Sequence, residues 1–311
     1  TDYPGRMSMT VRYPRGVVAA ITPFNVPLIK ASRLCANALA TGSTVVLLPS
    51  EEHPVISLKF AALMAEAGFP PGALNVVSGN GYRIGDSLTG HPLVKTVSFT
   101  GSTVVGKHIQ ALCASQNKHV TLELGGKSAL VIMDDADLRE AVQGAIRGIF
   151  MHQGQACVGS SRIYVHKAIY QPFVDQFVAI VGKLGMGDLR DESTIIGPII
   201  SEKQRNRVKS HIEDARLKGA TVATGGTWSG NRCAPTVLLG VDESMDVCKQ
   251  ETFGPVASVY QFDDYEEALA LANDSIYGLS GAIYTQDLRT AMDYVQRLES
   301  GMVHVNGPSI S

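Results

Sequence analysis

The 311-residue chain is short of several features, and each shortage narrows what it can do. No charge sign dominates: 27 Lys+Arg against 29 Asp+Glu give 27 − 29 = −2, so no basic surplus points to nucleic acid or an anionic membrane surface. Cysteines number five (Cys35, Cys113, Cys157, Cys233, Cys248), widely spaced, with no C-x-x-C and no Cys/His cluster at zinc-ligand spacing. That pattern predicts free thiols, a reducing cytoplasmic setting and no metal. The longest uncharged stretch, Leu34–Ser50, is broken by Asn37, Thr41, Gly42, Ser43, Thr44 and Pro49, too polar for the roughly 20 apolar residues that cross a bilayer. The first residues lack an initiator Met and the basic and apolar regions of an export signal. There is no G-x-S-x-G and no H-E-x-x-H, so serine-hydrolase and zinc-protease chemistry has no anchor.

What is present is enough to fold. Hydrophobic residues make up 45% and charged residues 18%, and the length suggests about two domains at roughly 150 residues each. Short β-branched runs alternate with longer amphipathic ones. Val17–Ile21, Thr44–Leu48, Leu74–Val77 and Val94–Phe99 read as strands, while Leu28–Leu39, Val55–Ala67 and Val104–Ala114 read as helices. A second series runs from about His119 to Asn306, and a boundary is expected near Gly125-Gly126. The grammar predicts an α/β fold with a parallel sheet covered by helices and ligands beyond the carboxyl ends of its strands. Met7–Tyr13 alternates like a strand that would need a partner from elsewhere.

Two glycine motifs come close to known fingerprints. Gly101-x4-Gly106-Lys107 ends in His108 where a P-loop needs a Ser or Thr for magnesium, so phosphohydrolase chemistry is a minor alternative. Gly79-x-Gly81-x3-Gly85 misses the dinucleotide pattern by one residue and reads as a glycine loop.

Cys157 follows a glycine turn at a helix end, in Phe150-Met-His-Gln-Gly154-Gln155-Ala156-Cys157. Glu123 lies in Thr121-Leu-Glu123-Leu-Gly125-Gly126-Lys127, a carboxylate set in an apolar strand and expected to be enclosed by Leu122 and Leu124. With Ile21-Thr-Pro23-Phe24-Asn25-Val-Pro27, Phe99-Thr-Gly101-Ser102 and Glu251-Thr-Phe253-Gly254-Pro255, these segments stand in an order that resembles the aldehyde dehydrogenase superfamily, from about Arg12 to Asn306. The nearest branch is the salicylaldehyde and vanillin (aromatic aldehyde) dehydrogenases.

The resemblance implies a Rossmann-like, parallel-sheet NAD-binding domain (15–125) and a second α/β catalytic domain (126–311). Residues 1–14 would be part of an oligomerisation or bridging arm. Both ends of the family's usual length would be missing. It implies that Cys157 attacks the aldehyde as a thiolate and that hydride passes to the nicotinamide. Asn25 would hold the oxyanion with the Cys157 backbone N–H, and Glu123 would activate water to hydrolyse the thioester. Ile21, Pro23, Phe24, Glu51, Gly101, Ser102, Gly125, Glu251 and Phe253 would bind the cofactor, with Glu51 repelling a 2′-phosphate and favouring NAD over NADP. Leu48 departs from the family, which usually places Lys before Pro-Ser-Glu. Ile29 and Arg33, four apart on one helix face, would border the aldehyde, with Phe150 and Met151 opposite. Arg33 would meet an aromatic ring or its oxygens, and the same cation would suit a carboxylate-bearing semialdehyde. A truncated, non-catalytic cofactor or aldehyde binder is the remaining alternative. The complete protein would be a homo-oligomer, dimer or tetramer, in the cytoplasm, without nucleic-acid or membrane partners.

Overall fold

A computed structural model describes residues 4–310. The chain divides into two compact units, one ending at Leu124 and the other beginning at Gly125.

The first unit contains β1 (Val17–Thr22), α1 (Pro27–Ala40), β2 (Thr44–Pro49), α2 (Val55–Glu66), β3 (Leu74–Val76), α3 (Gly81–Thr89), β4 (Val94–Thr100), α4 (Thr103–Ala114) and β5 (His119–Glu123). Its five strands pair in the order β3-β2-β1-β4-β5, all parallel. The order reverses between β1 and β4, and in open sheets of this kind the crevice at the reversal is where ligands bind. Period-two alternation splits β1 between two cores. Val18 and Ala20 pack with Ala31 and Cys35 of α1, while Ala19 packs with Ile109 and Cys113 of α4. Pro27 opens α1, where its missing N–H costs nothing.

The second unit contains β6 (Ala129–Ile132), α5 (Leu138–Phe150), a 3-10 turn (Met151–Gly154), β7 (Arg162–His166), α6 (Tyr170–Val181), α7 (Glu202–Leu217), β8 (Thr221–Thr224), β9 (Trp228–Ser229), β10 (Arg232–Cys233), β11 (Thr236–Leu239), α8 (Asp246–Lys249), β12 (Val256–Phe262), α9 (Tyr265–Asn273), β13 (Ser280–Tyr284), α10 (Leu288–Arg297) and β14 (Met302–Val305). Seven strands form one sheet, β14-β13-β6-β7-β12-β11-β8, parallel except at β8. Its central strands are buried on both faces, which is why β6 reads as an unbroken apolar run. Asp137 caps α5 by accepting from Glu140 N at 3.0 Å, and Ala141, Val142, Ala145, Ile149 and Phe150 go into the core.

Met7–Tyr13, expected as a strand completed by a partner from elsewhere, pairs with no strand of this chain, and Met7 and Tyr13 are exposed. One sequence expectation differs from the structure. The stretch read as a glycine loop contains helix α3. The Asn80 side chain accepts from Tyr82 N at 3.0 Å and the Glu51 carboxylate from Gly81 N at 3.1 Å, and these two bonds satisfy the first turn despite its glycines.

Candidate active site

In the second unit the chain approaches Cys157 through three consecutive left-handed residues, His152 (φ 52°), Gln153 (φ 57°) and Gly154 (φ 68°). Two of them carry side chains, so the turn stores strain that its surroundings must hold. Part of that support is Gly154 itself, where a Cβ would lie 2.1 Å from the Gly254 carbonyl oxygen. Part is Gln155, buried, whose Oε1 accepts from Ile200 N at 3.1 Å. Cys157 emerges half-buried, whereas the other four cysteines are buried. Burial pushes the Cys35 and Cys233 thiols up to about 12, and those of Cys113 and Cys248 upward as well. Among the described residues, then, one cysteine alone stands where a reagent can meet a thiolate.

The Gly125-Gly126 turn touches two of the expected site residues at once. A Cβ on Gly126 would lie 2.1 Å from the Cys157 carbonyl oxygen, and one on Gly125 would lie 2.6 Å from Glu251 Oε2. Gly126 N also donates to Glu251 Oε1 at 3.0 Å. Only residues without side chains let the backbone come this close to both. Burial holds the Glu251 carboxyl above its ordinary range, against the pull of the Gly126 N–H, Arg207 and Lys127.

Helix α7 clamps the segment after Glu251. Gln204 Nε2 donates to the carbonyls of Thr252 and Phe253, both at 2.8 Å, and His211 Nδ1 shares a hydrogen bond with Thr252 Oγ1 at 3.1 Å. Val208 fills the space beside Gly254. These contacts fix Phe253 in a left-handed conformation (φ 54°) that a bulky residue rarely adopts. No local signal in the sequence marks Gln204 and His211. The spacing 204, 208, 211 defines one helix face, but nothing local says what that face meets.

In the first unit Pro23, Phe24 and Asn25 form the bend between β1 and α1, just beyond Ile21, and Asn25 is half-buried. Gly101 and Ser102 join β4 to α4, and Ser102 is its N-cap. Both bends lie at the carboxyl ends of β1 and β4, the strands that flank the reversal of order. Glu51 is exposed and bonded to the start of α3, and Leu48 is buried in β2. Glu123 ends β5 and is exposed rather than enclosed. Alternation sends Leu122 and Leu124 into the core with Val97 and Phe99, and turns Glu123 to the other face. There it joins Lys30, Arg33, Thr96, Ser98 and Thr121 around a cavity of about 780 Å³, within the size range of small-molecule sites.

One expected site residue is contradicted here. Phe150 lines no wall: it is fully buried in the second unit's core, its ring centroid 6.2 Å from that of Phe177, because the last turn of α5 faces the sheet. Ile29 is 59% exposed and does not line the cavity that Arg33 lines. Met151 is 41% exposed on the 3-10 turn. The P-loop alternative also fails. Residues 103–106 are already helical, leaving no loop to wrap phosphates, and His108 pairs with Asp86 at 2.8 Å. Among the described residues no cluster of three or more His, Cys, Asp or Glu could hold a metal, and no helix is long and apolar enough to cross a membrane.

Comparison with known proteins is consistent across sequence and structure. The model of the aldehyde dehydrogenase family matches residues 1–311. The NADP⁺ succinate-semialdehyde dehydrogenase of Escherichia coli is 42% identical over 306 residues, 97% of this chain and 64% of that protein. The vanillin dehydrogenase of Pseudomonas fluorescens is 42% identical over 313 residues, 100% of this chain and 65% of that protein. The crystal structure of betaine aldehyde dehydrogenase from Staphylococcus aureus in complex with NAD⁺ superimposes with a TM-score of 0.92 at 42% identity, covering 94% of this chain and 60% of that one. The chain thus spans a little under two thirds of the length of these relatives, and it belongs to the aldehyde dehydrogenase family.

Proposed function

We propose that the protein oxidises an aldehyde to the carboxylic acid with NAD, through a covalent intermediate on Cys157. The observation that carries this reading is the Gly125-Gly126 turn, packed against the Cys157 carbonyl and bonded to the Glu251 carboxylate. It ties the one cysteine not buried among the described residues to an acceptor suited to a ribose hydroxyl.

The residues fit a dinucleotide. Gly101-Ser102 leads into the start of α4 beside the reversal of strand order, where backbone N–H groups and the helix dipole suit a pyrophosphate. Ile21, Pro23 and Phe24 border the same crevice, and Gly125, Glu251 and Phe253 would serve the nicotinamide end. Glu51 carries a negative charge that disfavours a 2′-phosphate, which is the ground for preferring NAD to NADP. When bound, NAD supplies the hydride acceptor.

Cys157 Sγ, as thiolate, forms a C–S bond to the aldehyde carbon. The Asn25 amide and the Cys157 backbone N–H stabilise the resulting oxyanion, and removing one such donor typically costs about 10²–10³ in rate. After hydride departure Glu123 takes a proton from water, whose oxygen attacks the thioester carbon. The C–S bond breaks, the thiolate returns and the acid leaves.

For the substrate, an aromatic aldehyde whose oxygens meet Arg33 is the first reading. A carboxylate-bearing semialdehyde is the second. It is favoured by Arg12, Arg15, Lys30 and Arg33 lining the cavity that Glu123 shares, with none of the four in an ion pair among the described residues. A cytoplasmic setting is supported by five free cysteines. A homo-oligomer is supported by Met7, Met9, Val11 and Tyr13, apolar and exposed on the expected arm of residues 1–14. The test is NADH formation with a panel of aromatic and carboxylate-bearing aldehydes, with NAD and NADP, on the wild type and Cys157→Ala. Turnover that survives Cys157→Ala refutes the proposal.

A further inference from the structure

The chain leaves Cys157 through a tight turn. Gly159 N donates to Ala156 O at 3.1 Å, which puts Cys157 and Val158 at the two corners. The Ala156 C=O and the Cys157 N–H belong to one peptide plane, and in a trans peptide they point in opposite directions. The bond that closes the turn therefore also sets where the Cys157 N–H is aimed.

Two supports hold this turn from outside. Ser160 N donates to Gly148 O of α5 at 2.9 Å. The second support is a side chain from the far end of the sequence. Ser309 is 1% exposed, and its Oγ is hydrogen-bonded both to Val158 O, at the second corner, and to Ser160 Oγ. A carbonyl only accepts, so the single Ser309 hydroxyl proton goes to Val158 O, and the Ser160 O–H donates to Ser309 Oγ. That assignment satisfies all three groups at once.

Ser309 is itself held on rigid structure. Asn306 Oδ1 accepts from Thr285 N at 3.0 Å, its Nδ2 donates to Thr285 O at 2.9 Å, and its backbone N donates to Ile283 O at 2.8 Å. Ser280 Oγ donates to Ser309 O at 3.3 Å. The segment after β14 is thus tied to both ends of β13, and it brings the Ser309 hydroxyl to a turn 151 residues away.

We propose that Ser309 is a positioning residue for the oxyanion site: by donating to Val158 O it steadies the turn whose closing bond aims the Cys157 N–H. This deepens the proposed reaction and rests on it. Without the hydroxyl, Val158 O and the buried Ser160 O–H both lose a partner, and the turn is free to shift. The thiolate is affected differently. Its reaction with an alkylating agent develops no oxyanion and makes no demand on the direction of the N–H.

The experiment compares the wild type, Ser309→Ala and Ser309→Thr by three readouts. These are the pre-steady-state rate of NADH formation with an aldehyde, the rate of Cys157 alkylation by iodoacetamide, and amide hydrogen exchange at Gly159 without cofactor. Removing an oxyanion donor outright costs about 10²–10³ in rate, so misdirecting one should slow NADH formation by about 10-fold to 10²-fold in Ser309→Ala. Alkylation should be unchanged and Gly159 exchange faster. Ser309→Thr keeps the hydroxyl and should recover both NADH formation and protection. If Ser309→Ala does not fold, Ser309→Cys, a near-isostere with a weak donor, carries the same comparison. Unchanged NADH formation, unchanged exchange at Gly159, no recovery in Ser309→Thr, or alkylation slowed as much as NADH formation overturns the positioning role and leaves the proposed reaction standing. Turnover that survives Cys157→Ala overturns the proposed reaction, and the positioning role with it, whatever Gly159 exchange shows.

Discussion

Gly126→Ala is the most direct probe of how the site is braced. The added Cβ would lie 2.1 Å from the Cys157 carbonyl oxygen, about 1 Å inside an ordinary carbon–oxygen contact. The obstacle is main chain, not the tip of a flexible side chain, so either the Gly125-Gly126 turn or the Cys157 backbone must move. Overpacking of this kind costs about 1–3 kcal/mol of stability. A displacement of about 1 Å at a reacting group can cost about 10²-fold in rate. The variant should therefore lose activity out of proportion to its stability, with slower alkylation of Cys157 by iodoacetamide and a lowered urea midpoint. Gly85→Ala is the control. It lies within α3 with nothing within 4 Å of the new methyl, and should gain up to about 1 kcal/mol with unchanged turnover. If Gly126→Ala keeps wild-type kcat, alkylation rate and midpoint, the close approach of that turn to Cys157 is refuted.

Three further outcomes follow from named contacts. Lys127 is lowered in the folded state to about 7 from 10.5, so between those values the unfolded chain binds the extra proton and stability rises with pH. Below about pH 7 both states are protonated and the dependence disappears. Denaturant titrations at pH 6.5 and 9.5 should show the wild type gaining stability relative to Lys127→Met, by at most about 4 kcal/mol. An equal pH dependence in both proteins would contradict a buried, uncompensated lysine. Phe150→Ala should cost about 3–5 kcal/mol by urea denaturation, with no shift in the relative kcat/KM among aldehydes. A selective change in aldehyde preference would return Phe150 to the substrate wall. Arg33→Leu should raise KM for a carboxylate-bearing aldehyde about tenfold or more over a neutral one, the size of a charge-assisted hydrogen bond. Equal effects on both aldehydes would remove Arg33 from substrate recognition.

Much of the fold was legible because its signals are local. Pro27 at the start of α1 and the β-branched runs of β1, β2 and β4 act within one element, and their bounds fall within a residue or two of the reading. Helix α3 escaped because its support comes from Glu51, 30 residues away, which sequence spacing does not reveal. Glu123 was expected among leucines because neighbours in sequence were taken as neighbours in space. In a strand they point to opposite faces. Phe150 failed for a related reason, since its nearness to Cys157 along the chain says nothing of the face of α5 it occupies. Glu251 and the double glycine were legible as motifs, but Lys127, Gln204 and His211 were not. Their placement comes from long-range packing in the second unit, where no periodicity marks which polar residue goes inside.

In the proposed reaction Cys157 carries the acyl group. Intact-mass and peptide mapping of Glu123→Gln, mixed with an aldehyde and NAD and quenched in acid, tests it most directly. An adduct of the acyl mass is expected on the Cys157 peptide, accumulating because hydrolysis of the thioester is slowed. An adduct on any other cysteine, or NADH formed with Cys157 unmodified and Cys157→Ala still active, would contradict it.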